Sequence, residues 1–386
     1  MASAPSHHSN PDTLRAELRR GRGAVSNPTA RFETETRVVK DRDWNYASEA
    51  EWAPSGAANG VDEHDSYHVH PLRTSVTLET CRTAIVRNQS PDVPFDRSIN
   101  PYRGCEHGCI YCFARPSHAY SGLSSGLDFE TKLFAKPDVV ERLKDELARP
   151  GYRCRMMALG TNTDVYQPIE REHRLMRGIL SVLHDTNHPV GIVTKAHLVT
   201  RDIDLLAAMA KKNLVHVYVS ITTLDRRLAR SMEPRASTPG KRLEAITKLT
   251  EAGIPTGVMV APVVPGLTDH ELENILQAAA AAGAHRAGYL VMRLPHEIKD
   301  LFREWLAENV PDRAARIMAQ IHELRGGRDN DPRFFKRHTG EGTTAKLLAQ
   351  RFEIARTRLG LKTKDYELDA SLFQPPQRPG QQITLF

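Results

Sequence analysis

No apolar run in this chain approaches the ~18 residues that a membrane-spanning helix needs. The first residues, MASAPSHHSNPDTLRAELRRGRG, also lack the apolar core of a secretory leader. Cysteine is scarce, five in 386 residues, which excludes a disulfide scaffold. The expectation is a cytoplasmic protein with no membrane partner, in which clustered cysteines hold metal or do chemistry. Net charge is low too, +6. The surplus is unevenly placed: Asp312 to Lys364 holds thirteen lysines and arginines against six acids. A local basic surface of that kind attracts a polyanion, nucleic acid included, or is simply a solvated helical face.

Along the chain, four regions separate. Residues 1–75 are polar and are predicted to form a partly disordered N-terminal extension. Its tract VDEHDSYHVH (61–70) has the composition of a metal-binding run, but reads first as a solvated loop. Residues 76–295 form the predicted core, where short apolar runs alternate with amphipathic stretches. Residues 296–364 are predicted as a basic helical region with helices at 297–308, 312–324 and 343–359. Residues 365–386, with the Pro/Gln-rich QPPQRPGQQ (374–382), are predicted as a flexible tail.

Within the core, strands are predicted at 98–104, 155–160, 190–195, 214–221, 256–262 and 287–292. Helices of 10–15 residues lie between them, at 137–147, 172–186, 202–212, 241–253 and from Thr268 to Gly283. That alternation means βαβ units on a parallel sheet. Right-handed crossovers curl such a sheet into an α/β partial (β/α)6, TIM-like barrel. The extra C-terminal helices and the irregular N-terminal extension are appended to it. In such a fold the chemistry sits at the C-terminal ends of the strands.

The sequence NPYRGCEHGCIYCFARP (100–116) follows the first predicted strand. It carries Cys105, Cys109 and Cys112 in a C-x3-C-x2-C spacing. Structural zinc and a conventional four-iron cluster both want four ligands. A fourth would come from His107, His118, Cys81 or Cys154. Alternatively, three thiolates leave one position open for a substrate or cofactor. Elsewhere, Cys81 and Cys154 read as small core residues. The glycines of HTGEGTTAK (338–346) read as a loop and helix cap.

C-x3-C-x2-C with an aromatic before the third cysteine resembles the radical S-adenosylmethionine (SAM) superfamily. The flanks, NPYRGCEHGCIYCFAR, resemble its spore photoproduct lyase-like branch. The resemblance spans about residues 98–295 and extends more loosely to 362. It implies a [4Fe-4S] cluster on Cys105, Cys109 and Cys112, with SAM on the fourth iron. Reductive cleavage of SAM then yields a 5′-deoxyadenosyl radical that abstracts hydrogen from a substrate. It implies Tyr111 and Phe113 near the adenosyl group and Thr163 and Asp164 as SAM contacts. It also implies Lys195 against the SAM carboxylate and Ser220 as a further contact. A flavodoxin- or ferredoxin-type electron donor is implied, with a nucleic-acid base as the first-choice substrate and a protein side chain or small metabolite as alternatives. Arg235 and Arg293 are candidate anion-binding cations at the same rim. One departure stands out. The lyases place a hydrogen-donating cysteine where this chain has Gly160–Thr161. The rival class is a non-catalytic zinc or iron–sulfur binding module.

Overall fold

A computed structural model describes residues 19–33, 72–362 and 367–377. The histidine-rich tract at 61–70 lies outside the described residues. The strands in chain order are β1 (Ser75–Leu78), β2 (Ile85–Arg87), β3 (Arg97–Ile99), β4 (Tyr102–Arg103) and β5 (Lys132–Ala135). They continue with β6 (Met157–Leu159), β7 (Val190–Thr194), β8 (Val215–Ser220), β9 (Thr256–Val263) and β10 (Arg286–Val291). The main sheet runs β10-β9-β8-β7-β6-β3-β2. Every neighbouring pair from β10 to β3 is parallel, and β2 adds an antiparallel edge. This is a curled α/β sheet of the expected kind, open between β10 and β2.

Strand composition explains the layers. All six residues of β8, VHVYVS, are buried, as expected for a strand covered on both faces. Successive side chains alternate faces. Val215, Val217 and Val219 join the main apolar core, while His216, Tyr218 and Ser220 line a central cavity. The outer layer is helical. Leu272, Ile275, Leu276 and Ala279 of helix Leu272–Ala281 share one buried face, the i, i+3, i+4, i+7 stripe of an amphipathic helix. Each Leu or Ile buried there contributes about 1.5–3 kcal/mol.

The first predicted strand is split. Pro101 lacks an N–H to continue the ladder, so β3 stays in the main sheet. β4 turns away to pair antiparallel with β5, Tyr102 facing Ala135. The 28 intervening residues, which carry the cysteines, therefore leave and return through one clamp. The predicted helix at 172–186 is also broken. Glu170–His173 and Leu175–Asp185 are separated by Arg174 at φ 52°. Buried Glu170 explains the break: its carboxylate accepts the Tyr102 hydroxyl (2.5 Å) and the Met176 amide (3.0 Å), capping the second helix from the side.

Two appendages are more tightly held than their composition suggests. Residues 19–33 are irregular in backbone, yet Ala24, Val25 and Ala30 are buried. Ala24 and Val25 share a second apolar cluster with Ile110 of the cysteine loop and Phe302, Trp305 and Ile317 of the C-terminal helices. Ion pairs Arg19–Glu308 and Arg31–Glu297 reinforce the contact. Within the predicted flexible tail, Phe373 packs on Tyr152 and His188, and the Gln374 amide donates to the Thr186 carbonyl. Helix Gly342–Arg358 adds Leu348 and Phe352 to the main core and pairs Arg351 with Glu273. Among the described residues, no helix is long and apolar enough to cross a membrane.

Candidate active site

A cavity of about 530 Å³ opens at the C-terminal ends of the parallel strands. Its inner wall comes from alternate strand residues: Ser98, Ala158, Val193, His216, Tyr218 and Met259. One side of its mouth is the cysteine loop, with Cys105, Cys109 and Cys112 all facing in. Cys105 and Cys109 are buried and Cys112 is half-buried. Burial pushes both buried thiols up, Cys109 to about 12. A bound cation must displace those protons.

The loop owes its shape to two buried charges. Arg115 donates Nε to the Cys109 carbonyl (2.9 Å) and Nη2 to the Gly108 carbonyl (3.1 Å). Its other nitrogen holds the Ser125 and Gly126 carbonyls, and Nη2 also pairs with Glu130. The same Glu130 carboxylate accepts the amides of Gly23 (2.9 Å) and Ala24 (2.8 Å). The segment at 19–33 is thereby strapped across the back of the loop. Gly23 sits so close that a Cβ would fall 1.9 Å from the Gly108 oxygen. From the other side, the Ile110 amide donates to the Met232 carbonyl (3.0 Å).

Each residue singled out in the sequence now has a place. The Thr163 hydroxyl donates to the Tyr102 carbonyl (3.1 Å) and that of Ser220 to the Ala261 carbonyl (3.2 Å). With the protons committed, each presents only acceptor lone pairs to the cavity. Asp164 is a knot: its carboxylate accepts Thr194 Oγ1 (2.7 Å), the Tyr166 amide (2.9 Å) and the Lys195 amide (2.7 Å). His107 Nδ1 lies 3.5 Å away on the same group. Lys195 lines the cavity with its ammonium 5.7 Å from the centre of the Tyr111 ring. Among the described residues it has no ion pair, so it is available to an incoming carboxylate.

Tyr111 is buried and its hydroxyl bonds Thr222 (3.1 Å) and Glu233. Phe113 is 44 % exposed on the mouth, beneath the Arg293 guanidinium at 4.5 Å. Arg235 does not face the cavity; it pairs with Glu106 at 2.8 Å and braces the loop. The proposed fourth ligands mostly fall away. His118 is held by the Lys132 carbonyl between Phe129 and Phe134. Neither Cys81 nor Cys154 lines the cavity.

Sequence reasoning missed Arg115, Glu130, Glu233 and Arg242. All four are buried charges. Arg115 and Glu130 pair with each other, as do Glu233 and Arg242. Arg115 lay inside the quoted motif, and a charge so close to three cysteines was its only signal. The others sit in amphipathic stretches where a charge reads as surface.

Gly160 has φ 79°, and a Cβ there would lie 1.9 Å from the Val193 oxygen. No side chain fits, a cysteine included. Gly160→Ala is expected to lower stability by about 1–3 kcal/mol or more, since overpacking adds to a left-handed backbone. Chemical denaturation measures it; an unchanged midpoint would contradict the crowding.

The fit to a metal centre can be judged from the donors. Three thiols suit soft metals and iron–sulfur clusters. Among the described residues, no three His, Cys, Asp or Glu side chains are grouped to hold a single ion. A cluster, whose metals are spread over several ångströms, suits thiols that ring a cavity mouth better than one ion does. The fold and this loop thus define an α/β protein with three thiols gathered at the mouth of a strand-end cavity.

The chain belongs to the radical SAM superfamily, whose domain matches residues 99–279. That family works with a [4Fe-4S] cluster and SAM. An uncharacterized protein of Mycobacterium tuberculosis is 41% identical over 241 residues, covering 61% of this chain and 70% of its own. Among solved structures, a cysteine-to-serine variant of spore photoproduct lyase is similar, with TM-score 0.55 and 16% identity. The match covers 76% of this chain and 82% of that one. The same lyase complexed with a dinucleoside spore photoproduct gives TM-score 0.53 at 15% identity, with the same coverage. These structures show the shared fold.

Proposed function

We propose that this chain is a radical SAM enzyme acting on a nucleic-acid base, fed by an external flavodoxin- or ferredoxin-type donor. The observation that carries the reading is the trio Cys105, Cys109 and Cys112 at the mouth of the strand-end cavity. These three would hold the [4Fe-4S] cluster. Bound together, cluster and SAM supply one-electron cleavage of the sulfonium and hydrogen-atom abstraction from the substrate.

The chain's own residues do the positioning. Lys195 is the cation for the SAM carboxylate. Thr163 and Ser220 offer acceptors suited to an ammonium or ribose hydroxyl. Asp164 orients Lys195 through its amide and ties β6 to β7. Tyr111, locked by Glu233, presents a fixed ring face. The walls of Val193, Met259 and Ala158 keep water from the reacting atoms. The cavity has no thiol beyond the three, so hydrogen return by a strand-end cysteine is not part of the proposal. Support for a base as substrate comes from the fold shared with a lyase solved with a dinucleoside and from the basic C-terminal stretch.

The test is anaerobic. The chain is loaded with iron and sulfide, then given SAM and dithionite, with a nucleic-acid mixture in a parallel reaction. 5′-Deoxyadenosine is expected, and is expected to vanish in Cys105→Ala. A colourless protein that copurifies with zinc and never cleaves SAM would overturn the reading.

A further inference from the structure

The open side of the curled sheet, between β10 and β2, is closed by side chains. The loop from Asn88 to Asp96 leaves the β2 edge. The segment Arg333–His338 sits by the β10 edge, tied there by Arg325. That guanidinium is buried and bonds the Val291 carbonyl (2.9 Å) and the Lys336 carbonyl (2.9 Å). The two sides meet at Asp92. Its carboxylate is 2% exposed and accepts Arg337 Nε (2.7 Å), Arg337 Nη2 (2.6 Å) and the Phe335 amide (3.1 Å). His338 Nε2 lies 3.4 Å away. Both sides of this latch line the cavity.

Next to the latch stands a second cation. Arg293 lines the cavity and rests on Phe113. Among the described residues no carboxylate pairs with it. Burial, and then repulsion from Arg337, disfavour its charge. Of the two guanidinium groups facing this cavity, Arg337 alone has a carboxylate partner among the described residues. Charges so placed are stable only with an anion, and one guanidinium fork matches a phosphate as well as it matches a carboxylate. Beside the latch stand two exposed rings. Phe334 is 49% exposed under Arg337, and Phe335 is 62% exposed with φ 65°. A large side chain held outward by a left-handed backbone is uncommon. Exposed cations Arg333, paired with Asp331 and Glu341, and Lys336, paired with Glu341, flank both rings. Aromatic faces interleaved with cations are what a single strand needs: rings stack bases and cations track phosphates.

We propose that Arg293 and Arg337 form a phosphate site for a single-stranded or splayed-out nucleic-acid strand, and that Asp92 is the anion the strand displaces. The inference deepens the nucleic-acid reading above and rests on it. Displacement opens the side of the barrel as the strand enters, and Phe334 and Phe335 take the neighbouring bases.

The experiment uses the full chain without cluster, so it does not depend on SAM cleavage. A short fluorescein-labelled single-stranded DNA, and its RNA counterpart, are titrated by anisotropy at several salt concentrations. Affinity is expected to fall steeply with salt. Arg293→Gln, which breaks no ion pair, should weaken binding about tenfold and lower the salt slope by about one. Arg337→Gln should weaken it comparably. Asp92→Asn should tighten it several-fold by freeing Arg337. Absence of salt-dependent binding overturns the site, as does wild-type affinity in Arg293→Gln. If Asp92→Asn weakens binding as much as Arg337→Gln, the latch is structural only and the displacement is wrong. In each case SAM cleavage by the loaded enzyme, measured separately, reports on the radical SAM reading by itself.

Discussion

Alanine at Cys105, Cys109 or Cys112 is expected to leave a folded chain that takes up almost no iron and stays colourless. Each substitution removes one of three donors from a loop that cannot rearrange. Its ends are clamped by β4 and β5, its carbonyls by Arg115, and its back by Gly23 and Ala24 on Glu130. Substitute thiols are out of place. Cys81 bonds the Thr83 carbonyl, and Cys154 precedes β6 at the far end of the strand. Two thiolates do not hold a four-iron cluster. Each change removes a single sulfur from the cavity wall, buried at Cys105 and Cys109 and half-buried at Cys112, so the fold should survive the small loss of packing. Visible absorbance, iron content and a thermal midpoint together make the measurement. A single variant that loads iron to the wild-type level would remove the basis of the assignment.

Glu233→Ala is expected to cost about 3–5 kcal/mol of stability, because it strands the buried Arg242 cation. Glu233 accepts the Tyr111 and Thr222 hydroxyls and pairs with Arg242. Arg242 in turn bonds the Ser220 carbonyl (3.0 Å) and the Ser237 carbonyl (2.7 Å). Loss of the carboxylate therefore loosens the end of β8 and the Tyr111 ring together. The network also predicts a pH dependence. Burial alone would raise the Glu233 carboxyl; the Arg242 and Lys195 cations and the hydrogen bonds from Arg242 and Tyr111 outweigh it and hold it at about 2. The unfolded chain titrates near the ordinary 4.5. The stabilisation is thus complete above about pH 4.5 and is lost as pH falls toward 2. Denaturation midpoints across that window should fall in the wild type and change less in Glu233→Gln. Equal acid sensitivity of the two would show that the charge is not held this way.

How legible this was depended on the kind of signal. The parallel strands were plain because each is a short apolar run between helices of readable period. The cysteine spacing was plain because it is local. Lys195 was readable because a charge ending an apolar strand has few other reasons to be there. What could not be read was pairing at long sequence separation. Glu130 meets Gly23 across 107 positions, and Asp92 meets Arg337 across 245. Taken alone, Glu130, Asp92 and Arg337 look like ordinary surface charge. The resemblance makes Asp164 a SAM contact; it does line the cavity, and its carboxylate is engaged by three donors of its own chain. It orients the site rather than simply presenting itself to a ligand. The packing of residues 19–33 gave little signal because apolar content there is low, and a few small buried side chains suffice where hydrogen bonds do the holding.

The strap of residues 19–33 has a consequence for how the protein is made. Gly23 and Ala24 leave the ribosome early, but their docking site does not exist until much later. Glu130, Phe302 and Ile317 must all be in place first. The cysteine loop therefore gains this backing only after most of the chain has been synthesised. A fragment cut to the family-matched core, residues 99–279, would retain every cysteine of the motif and lack the backing that keeps them together.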